Sequence, residues 1–277
     1  MAVLEQKHSE HTPVITTEYV YSKDGTRIGF QHLGSGPALV FVHGSVATHT
    51  DWMRVAKLLS TRFTCYVIDR RGRGHSGIGV SAYSLEREYE DIEAVLAAAG
   101  PGTSLIAHSY GAVCALGAAL RTPVERLVVY EPPFPVNGPI ASEHLGAYSR
   151  AVAEGNLDLA VQIGMAEFLR LPPEEVTALQ SSRAWPRLRN LAKSWVRELE
   201  TMDAMDPAFM ENYRSLSCPV MMLMGELSPE HPLQDSSRAL AKYLPGARMV
   251  RMKGQDHMAA RTAPALVAHL IIEFFSL

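Results

Sequence analysis

The stretch Ser104-Leu105-Ile106-Ala107-His108-Ser109-Tyr110-Gly111 joins a short apolar run to an alanine-rich helical pattern that extends to Leu120. Ser109 therefore falls on a tight turn between a predicted strand and a predicted helix. Ala107 and Gly111 stand two positions either side, where a bulky side chain would strike the neighbouring strand or helix. Such a turn exposes a serine hydroxyl at the carboxyl edge of a sheet. Two interpretations are open from this stretch alone, an exposed nucleophile and an ordinary helix cap.

Strand and helix patterns alternate on both sides of this turn. Strand patterns, several of them continuously apolar as in strands buried on both faces of a parallel sheet, occupy 38–42, 63–68, 104–106, 124–130, 220–224 and 248–252. Helical patterns occupy 50–59, 84–99, 112–120, 233–243 and 263–275. The alternation predicts βαβ crossovers and a mostly parallel sheet with helices on both faces. Two further strand patterns at 17–21 and 26–33 flank a turn and predict an antiparallel hairpin at one edge.

The composition predicts a folded protein that acts on a small molecule. The chain has 277 residues, 47% of them hydrophobic, and a net charge of -3, so a packed core is expected and nucleic acid is not the expected partner. The three cysteines, Cys65, Cys114 and Cys218, are odd in number and far apart, which predicts free thiols without a disulfide framework or a metal site. No cofactor is expected.

The segment 1–13 is polar and lacks the apolar stretch of a signal peptide, and the apolar runs elsewhere are too short to span a bilayer. We therefore expect a cytoplasmic protein with a loose N-terminal tail and no membrane partner. The sequence gives no oligomeric state, and a homodimer is left open.

The middle of the chain changes character, because strand patterns vanish between residues 137 and 216. We expect a helical cap at 137–216, inserted into a core formed by 1–136 and 217–277. Phe168 and Trp185 are predicted either to line an apolar substrate pocket beneath this cap or to pack within it. The arginines of this segment, Arg183, Arg187 and Arg189, are predicted to form a solvated face.

Val42-His43-Gly44-Ser45 ends the third predicted strand. Its glycine lets the loop approach the predicted nucleophile, so the backbone amides of Ser45 and Tyr110 are candidate donors to an oxyanion. His43, Gly44 and His108 are predicted to be structural or to line the substrate pocket. An ordinary glycine turn is the alternative.

Asp69-Arg70-Arg71-Gly72-Arg73-Gly74-His75-Ser76 follows the fourth strand. It resembles the D-x-R-G-x-G-x-S segment of the α/β-hydrolase family, where it shapes a turn near the active site. The resemblance extends over nearly the whole chain, except the helical insertion and the N-terminal tail. It implies the α/β-hydrolase fold and a triad in the chain order serine, acid, histidine.

His257, in Gly254-Gln255-Asp256-His257, follows the last strand, where this fold delivers its general base. With 11 histidines in the chain, a surface histidine is the alternative. Asp256 is adjacent to it in sequence, and neighbours on a loop seldom face each other.

The triad acid has more than one candidate. Many hydrolases of this family place an aspartate after the seventh strand, where this chain has Ser228. Glu131 ends the sixth strand, beside the strand of the nucleophile, and some esterases and lactonases of the family resemble this arrangement. Glu131 is therefore predicted as the acid, and the alternatives are Glu226, Glu230 and Asp235.

These residues predict a serine hydrolase of a small carboxylic ester or lactone, working through an acyl-enzyme. A carbon–carbon bond hydrolase or a lyase or rearrangement enzyme of natural-product metabolism is the alternative on the same triad, because fold does not settle chemistry. A non-catalytic ligand-binding homologue is a third possibility.

Overall fold

The computed structural model describes residues 13–244 and 246–276. The predicted N-terminal tail therefore lies, apart from Pro13, outside the described residues.

Every strand pattern of the sequence forms a strand. The eight strands, in chain order β1 to β8, are Ile15–Tyr21, Arg27–Gly34, Ala38–Val42, Thr64–Ile68, Ser104–His108, Leu127–Tyr130, Val220–Gly225 and Arg248–Met252. They form one sheet in the order β1-β2-β4-β3-β5-β6-β7-β8. The pairs β1/β2 and β2/β4 are antiparallel, and the remaining pairs are parallel. The predicted fold class, with its antiparallel hairpin at one edge, is confirmed.

Ten α-helices in the described part of the chain connect and cover these strands. In chain order, α1 to α10 are Met53–Leu59, Leu85–Ala99, Tyr110–Ala119, His144–Ala153, Leu157–Ile163, Pro173–Gln180, Trp185–Asp203, Asp235–Ala241, Ala259–Thr262 and Pro264–Phe275. Helices α4 to α7 all lie between β6 and β7, within the segment where strand patterns vanish.

The core consists of two apolar layers separated by the sheet. Successive side chains of a strand point to opposite faces, so β3 sends Val40 and Val42 into one layer and Leu39 and Phe41 into the other. The first layer contains α2, α3 and the buried faces of the helices between β6 and β7. The second contains α1 and α10. Burial on both faces explains why the central strands are continuously apolar in sequence.

Cys65 and Cys114 are buried, Cys218 is half-buried, and all three are free thiols. Within the described ranges, no helix has both the length and the apolar character required to cross a bilayer.

Candidate active site

The carboxyl ends of the parallel strands meet at one edge of the sheet, and Ser109 stands there between β5 and α3. Its φ of 55° is unusual for a residue with a side chain, and it reflects the tight turn that the flanking sequence predicted. The backbone nitrogen of Ser109 donates to the carbonyl of Tyr130 at 2.8 Å, which ties the turn to β6. The residue is 9% exposed, and it lines a cavity at this edge of the sheet.

Two glycines permit the close approach of the loop after β3. A Cβ on Gly111 would lie 2.2 Å from the carbonyl oxygen of His43, so no larger residue fits without movement of the backbone. A Cβ on Gly44 would lie 2.8 Å from the Cβ of Ser109. The loop carrying Ser45 therefore packs directly against Ser109, as the sequence predicted.

The imidazole of His257 is bonded to the carboxylate of Glu131. His257 Nδ1 donates to Glu131 Oε2 at 2.6 Å, and Glu131 Oε1 accepts from the backbone nitrogen of Gly225 at 2.7 Å. Glu131 is fully buried, so both carboxylate oxygens are held without competition from water. The bond assigns the proton to Nδ1 and leaves Nε2 of the neutral ring as an acceptor.

The other acid candidates bond elsewhere. Three carboxylates were alternatives by sequence, Glu226, Glu230 and Asp235, and Asp256 adjoins His257 in the chain. Among the described residues, none of them contacts His257 through its carboxylate. Their partners are, in the same order, the backbone nitrogen of Gly254, Arg238, Nδ1 of His231 and the backbone nitrogen of Met258. The structure therefore brings only Glu131, of these five carboxylates, to His257.

His108 supports His257 from below. Its Nε2 donates to the carbonyl oxygen of His257 at 2.9 Å, and the two ring centroids are 4.3 Å apart. Burial, followed by the electrostatic influence of the neighbouring His257 ring, lowers the pKa of His108 well below its usual value. The ring is therefore neutral, and a neutral ring beside His257 adds no competing charge to the site.

The backbone amides of Ser45 and Tyr110, the predicted oxyanion donors, belong to the loop after β3 and to the first residue of α3. Neither amide donates a hydrogen bond within the described part of the chain. Tyr110 begins α3, and the first amides of a helix have no acceptor in their own helix. Both amides are consequently free to bind a negatively charged oxygen.

The Gly44–Ser45 peptide is held in one orientation by buried neighbours. The carbonyl oxygen of Gly44 accepts from His43 Nδ1 at 2.8 Å and from Arg70 Nη1 at 3.3 Å. The backbone nitrogen of Arg70 donates to His43 Nε2 at 3.1 Å, so His43 is neutral. Burial and the charge of Arg70 lower the pKa of His43 to about 4. Because C=O and N–H point in opposite directions across a planar trans peptide, these bonds also direct the N–H of Ser45.

Arg70 is fixed by two buried carboxylates. Its guanidinium lies 2.7 Å from Glu88 of α2 and 2.7 Å from Glu198 of α7. Glu198 also contacts Arg73. This ion cluster, Arg70, Arg73, Glu88 and Glu198, joins the loop beside Ser109 to a helix of the segment between β6 and β7. Sequence reasoning missed it, because Glu198 carries no local signal of its distant partners.

Ser109 and His257 line the same cavity, which has a volume of about 800 Å³. Ser109 Oγ forms no hydrogen bond with the imidazole within the described residues. Contacts between nucleophile and base in unliganded enzymes are often long, and they tighten when substrate binds.

The cavity walls are mainly apolar, and most come from outside the sheet. His108 and Phe168, predicted as substrate-binding, line it, together with Met165, Trp195 and Leu199. The lining does not include His43 or Gly44, which lie beneath the site. Nor does it include Trp185, which is only 5% exposed and whose Nε1 donates to Asp158 at 2.7 Å. Trp185 thus packs within the helical segment, which was the alternative for it.

Asp69 anchors the turn after β4. Its carboxylate accepts from the backbone nitrogens of His49 and His75, at 2.8 and 2.9 Å, and from Nδ1 of both rings. These three residues form the one group in the described chain whose geometry would suit a metal ion. The four hydrogen bonds already give the carboxylate a structural role, and the sequence predicted such a role for this segment.

Comparisons with known proteins agree with this architecture. The model of the alpha/beta hydrolase family matches residues 39–270. An alpha/beta hydrolase from Sphaerobacter thermophilus is 33% identical, with a TM-score of 0.82, over 93% of this chain and 100% of its own.

Two curated relatives differ in how much of their length is matched. The 2-(acetamidomethylene)succinate hydrolase of Mesorhizobium japonicum is 28% identical over 87% of this chain and 88% of its own length. A Mycobacterium tuberculosis protein named "Probable oxidoreductase EphD" is 38% identical, but the match covers 34% of this chain and only 17% of the relative. The chain thus spans about a sixth of that longer protein.

Proposed function

Because the chain belongs to the alpha/beta hydrolase family, we propose that it is a serine hydrolase that cleaves a small carboxylic ester or lactone. The observation that carries the proposal is the bond between His257 and Glu131 at the cavity that Ser109 also lines. A buried carboxylate that holds Nδ1 of an imidazole leaves Nε2 ready to accept a proton.

In the proposed reaction, Ser109 Oγ attacks the substrate carbonyl while His257 takes its proton. Glu131 holds the imidazole in the required tautomer and stabilises the protonated ring. The amides of Ser45 and Tyr110 bind the oxyanion. His257 then protonates the leaving alcohol, and a water molecule activated by the same ring releases the acid from the acyl-enzyme.

We further propose that residues 137–216 act as a cap. Phe168 and Trp195 cover the cavity from this segment, and their apolar faces suit a hydrophobic part of the substrate. A cap of this kind excludes bulk water and strengthens the electrostatic contacts beneath it.

Hydrolysis of another bond is the second candidate. The relative named a hydrolase of 2-(acetamidomethylene)succinate supports hydrolytic chemistry and adds amides to the substrates worth testing. Carbon–carbon cleavage and lyase reactions are compatible with the same residues. A reaction run in ¹⁸O water separates them, because hydrolysis places one labelled oxygen in the acid product and a lyase reaction places none.

The proposal is tested with a panel of p-nitrophenyl esters, lactones and amides on wild type and Ser109→Ala. Loss of the nucleophile should lower kcat on the order of 10⁴-fold. Ser215 is exposed and is not part of the cavity lining, so Ser215→Ala is the matched control and should retain wild-type turnover. Turnover in Ser109→Ala that approaches the wild-type value would overturn the mechanism. Binding without turnover in wild type would favour the non-catalytic homologue.

A further inference from the structure

A second cavity of about 650 Å³ adjoins the first. The two share Asp51, Arg187, Met258 and Arg261 in their linings. Met258 directly follows His257, so the two cavities meet beside the candidate general base. A substrate held at Ser109 can therefore extend a group into the second cavity.

The second cavity is strongly cationic. Its lining contains Asp51 as the one carboxylate. It also contains four arginines, which are Arg54, Arg183, Arg187 and Arg261. Two of the arginines, on α1 and α9, come from the sheet-flanking core, and two come from the start of α7 and the turn before it. The exposed Arg183 agrees with the predicted solvated face, and both Arg183 and Arg187 also line this open, solvent-facing cavity.

Asp51 does not neutralise this charge. Its carboxylate accepts from both terminal nitrogens of Arg187, at 2.8 and 3.0 Å, and from the backbone nitrogen of Thr48 at 3.0 Å. Arg261 Nε lies farther away, at 3.5 Å from Asp51 Oδ1. Arg183 has no hydrogen-bonded or ionic partner among the described residues. The cavity thus offers unsatisfied guanidinium donors on a concave surface beside the first cavity, and these attract an anion.

We propose that this second cavity is a carboxylate-binding subsite, so that the substrate carries a carboxylate at a distance from its scissile carbonyl. The inference deepens the proposed hydrolase function and rests on it. The planar fork of an arginine matches the two oxygens of a carboxylate, so a carboxylate can bind here through two parallel hydrogen bonds. The substrate then has an apolar part against Phe168 and Trp195, a carbonyl at Ser109, and a negative end between Arg183 and Arg261.

The test compares the monomethyl and dimethyl esters of the same α,ω-dicarboxylic acids, from glutaric to sebacic acid, by methanol release. The two esters share the scissile bond and differ in one distal charge. Wild type should show at least a tenfold higher kcat/KM for one or more monoesters, and added salt should reduce that preference. Arg183→Gln and Arg261→Gln should each lower the preference several-fold.

Arg189→Gln is the matched control, because Arg189 lies on α7 and pairs with Asp158 outside the second cavity. It should keep the wild-type preference. Equal kcat/KM values for monoesters and diesters, or a preference that survives both arginine substitutions, would overturn the subsite.

The failure of the hydrolase function is distinguishable from the failure of the subsite. If wild type cleaves neither ester, the proposed hydrolase function is refuted. The carboxylate-binding subsite is then tested by measuring the binding of monomethyl suberate by calorimetry. Binding to wild type that weakens about tenfold in Arg183→Gln or Arg261→Gln supports it. Absence of binding, or equal binding by all variants, refutes it.

Discussion

The side chain of Glu131 places the proposed triad acid after β6, whereas many hydrolases of this family carry it after the seventh strand. The carboxylate reaches His257 from the end of β6, and its second oxygen is occupied by the amide of Gly225. At the place where many relatives carry the acid, Ser228 is buried, and its Oγ has no partner among the described residues. The contact with His257 Nδ1 therefore depends on the carboxylate of Glu131, and no other described carboxylate bonds to this ring.

Glu131→Gln should lower kcat by roughly 10³- to 10⁴-fold, because an amide can hold the ring in the wrong tautomer and cannot stabilise the protonated form. Glu226→Gln is the matched control, since Glu226 follows β7 and bonds to Gly254 instead. It should stay within about twofold of wild type in the same ester assay. If Glu226→Gln were inactive and Glu131→Gln active, the role of triad acid would belong to Glu226, in the loop after β7.

The neutral His43 should make stability depend on pH. Its pKa is about 4 in the folded protein and 6.5 in the unfolded chain, so between these values the unfolded chain binds more protons. The free energy of unfolding should therefore fall as the pH drops from 6.5 towards 4, by up to about 3 kcal/mol from this residue.

Denaturant unfolding at several pH values measures this effect. His43→Gln should flatten the dependence in the acid range, whatever its stability at neutral pH. The exposed His269 provides the control, because His269→Gln should leave the slope unchanged. An identical pH dependence in wild type and His43→Gln would show that His43 is not the buried neutral group.

At the scale of elements, the guanidinium of Arg70 links helix α7 to the Gly44–Ser45 peptide of the loop after β3. Arg70 contacts Glu198 on α7 and the carbonyl of Gly44, and that carbonyl sets the direction of the Ser45 amide. A displacement of α7 should therefore disturb the oxyanion donor. The position of the proposed cap and the strength of the proposed oxyanion hole are linked by this contact.

Glu198→Gln should test this link. Removing one buried charge leaves Arg70 and Arg73 partly unpaired, which should cost about 3 kcal/mol of stability. With active sites titrated, kcat should also fall about tenfold, a loss typical of a weakened oxyanion donor, while KM changes little. Glu200→Gln, exposed on the same helix, should change neither value. A Glu198→Gln enzyme with wild-type kcat per active site would show that the ion cluster acts on folding alone.

The elements themselves were largely predictable, because each leaves a local pattern. The central strands are buried on both faces and continuously apolar, the edge strands alternate or carry polar residues, and all eight formed within a few residues of their predicted positions. The packing of side chains within the helical segment was harder to predict from the sequence. Trp185 and Phe168 have the same chemical character, and only their positions in space distinguish a side chain within the segment from one on the cavity wall.

At the scale of the whole molecule, two apolar layers enclose the sheet and bury two of the three thiols. Burial raises the pKa of Cys65 to about 12 and that of Cys114 well above its usual value. In the native protein, Ellman's reagent should therefore react with Cys218 alone, and slowly, because few thiolates form. All three thiols should react after denaturation. Rapid reaction of two thiols in the native protein would contradict this packing.

The candidate triad could be read from the chain, whereas the ion cluster and the second cavity could not. Ser109, Glu131 and His257 each follow a strand, so the rule that parallel strands end at one edge brings them together. Arg183 and Arg261 carry no such signal. Their proximity depends on how the helical segment packs on the core, and sequence patterns do not encode that packing.

The central claim is that Ser109 is a nucleophile activated by His257. A fluorophosphonate probe tests it most directly, because the probe bonds covalently to an activated serine and peptide mass spectrometry locates the adduct. We expect stoichiometric labelling of wild type at Ser109 and almost none in His257→Ala. Labelling at another residue, no labelling of wild type, or undiminished labelling of His257→Ala would contradict the account.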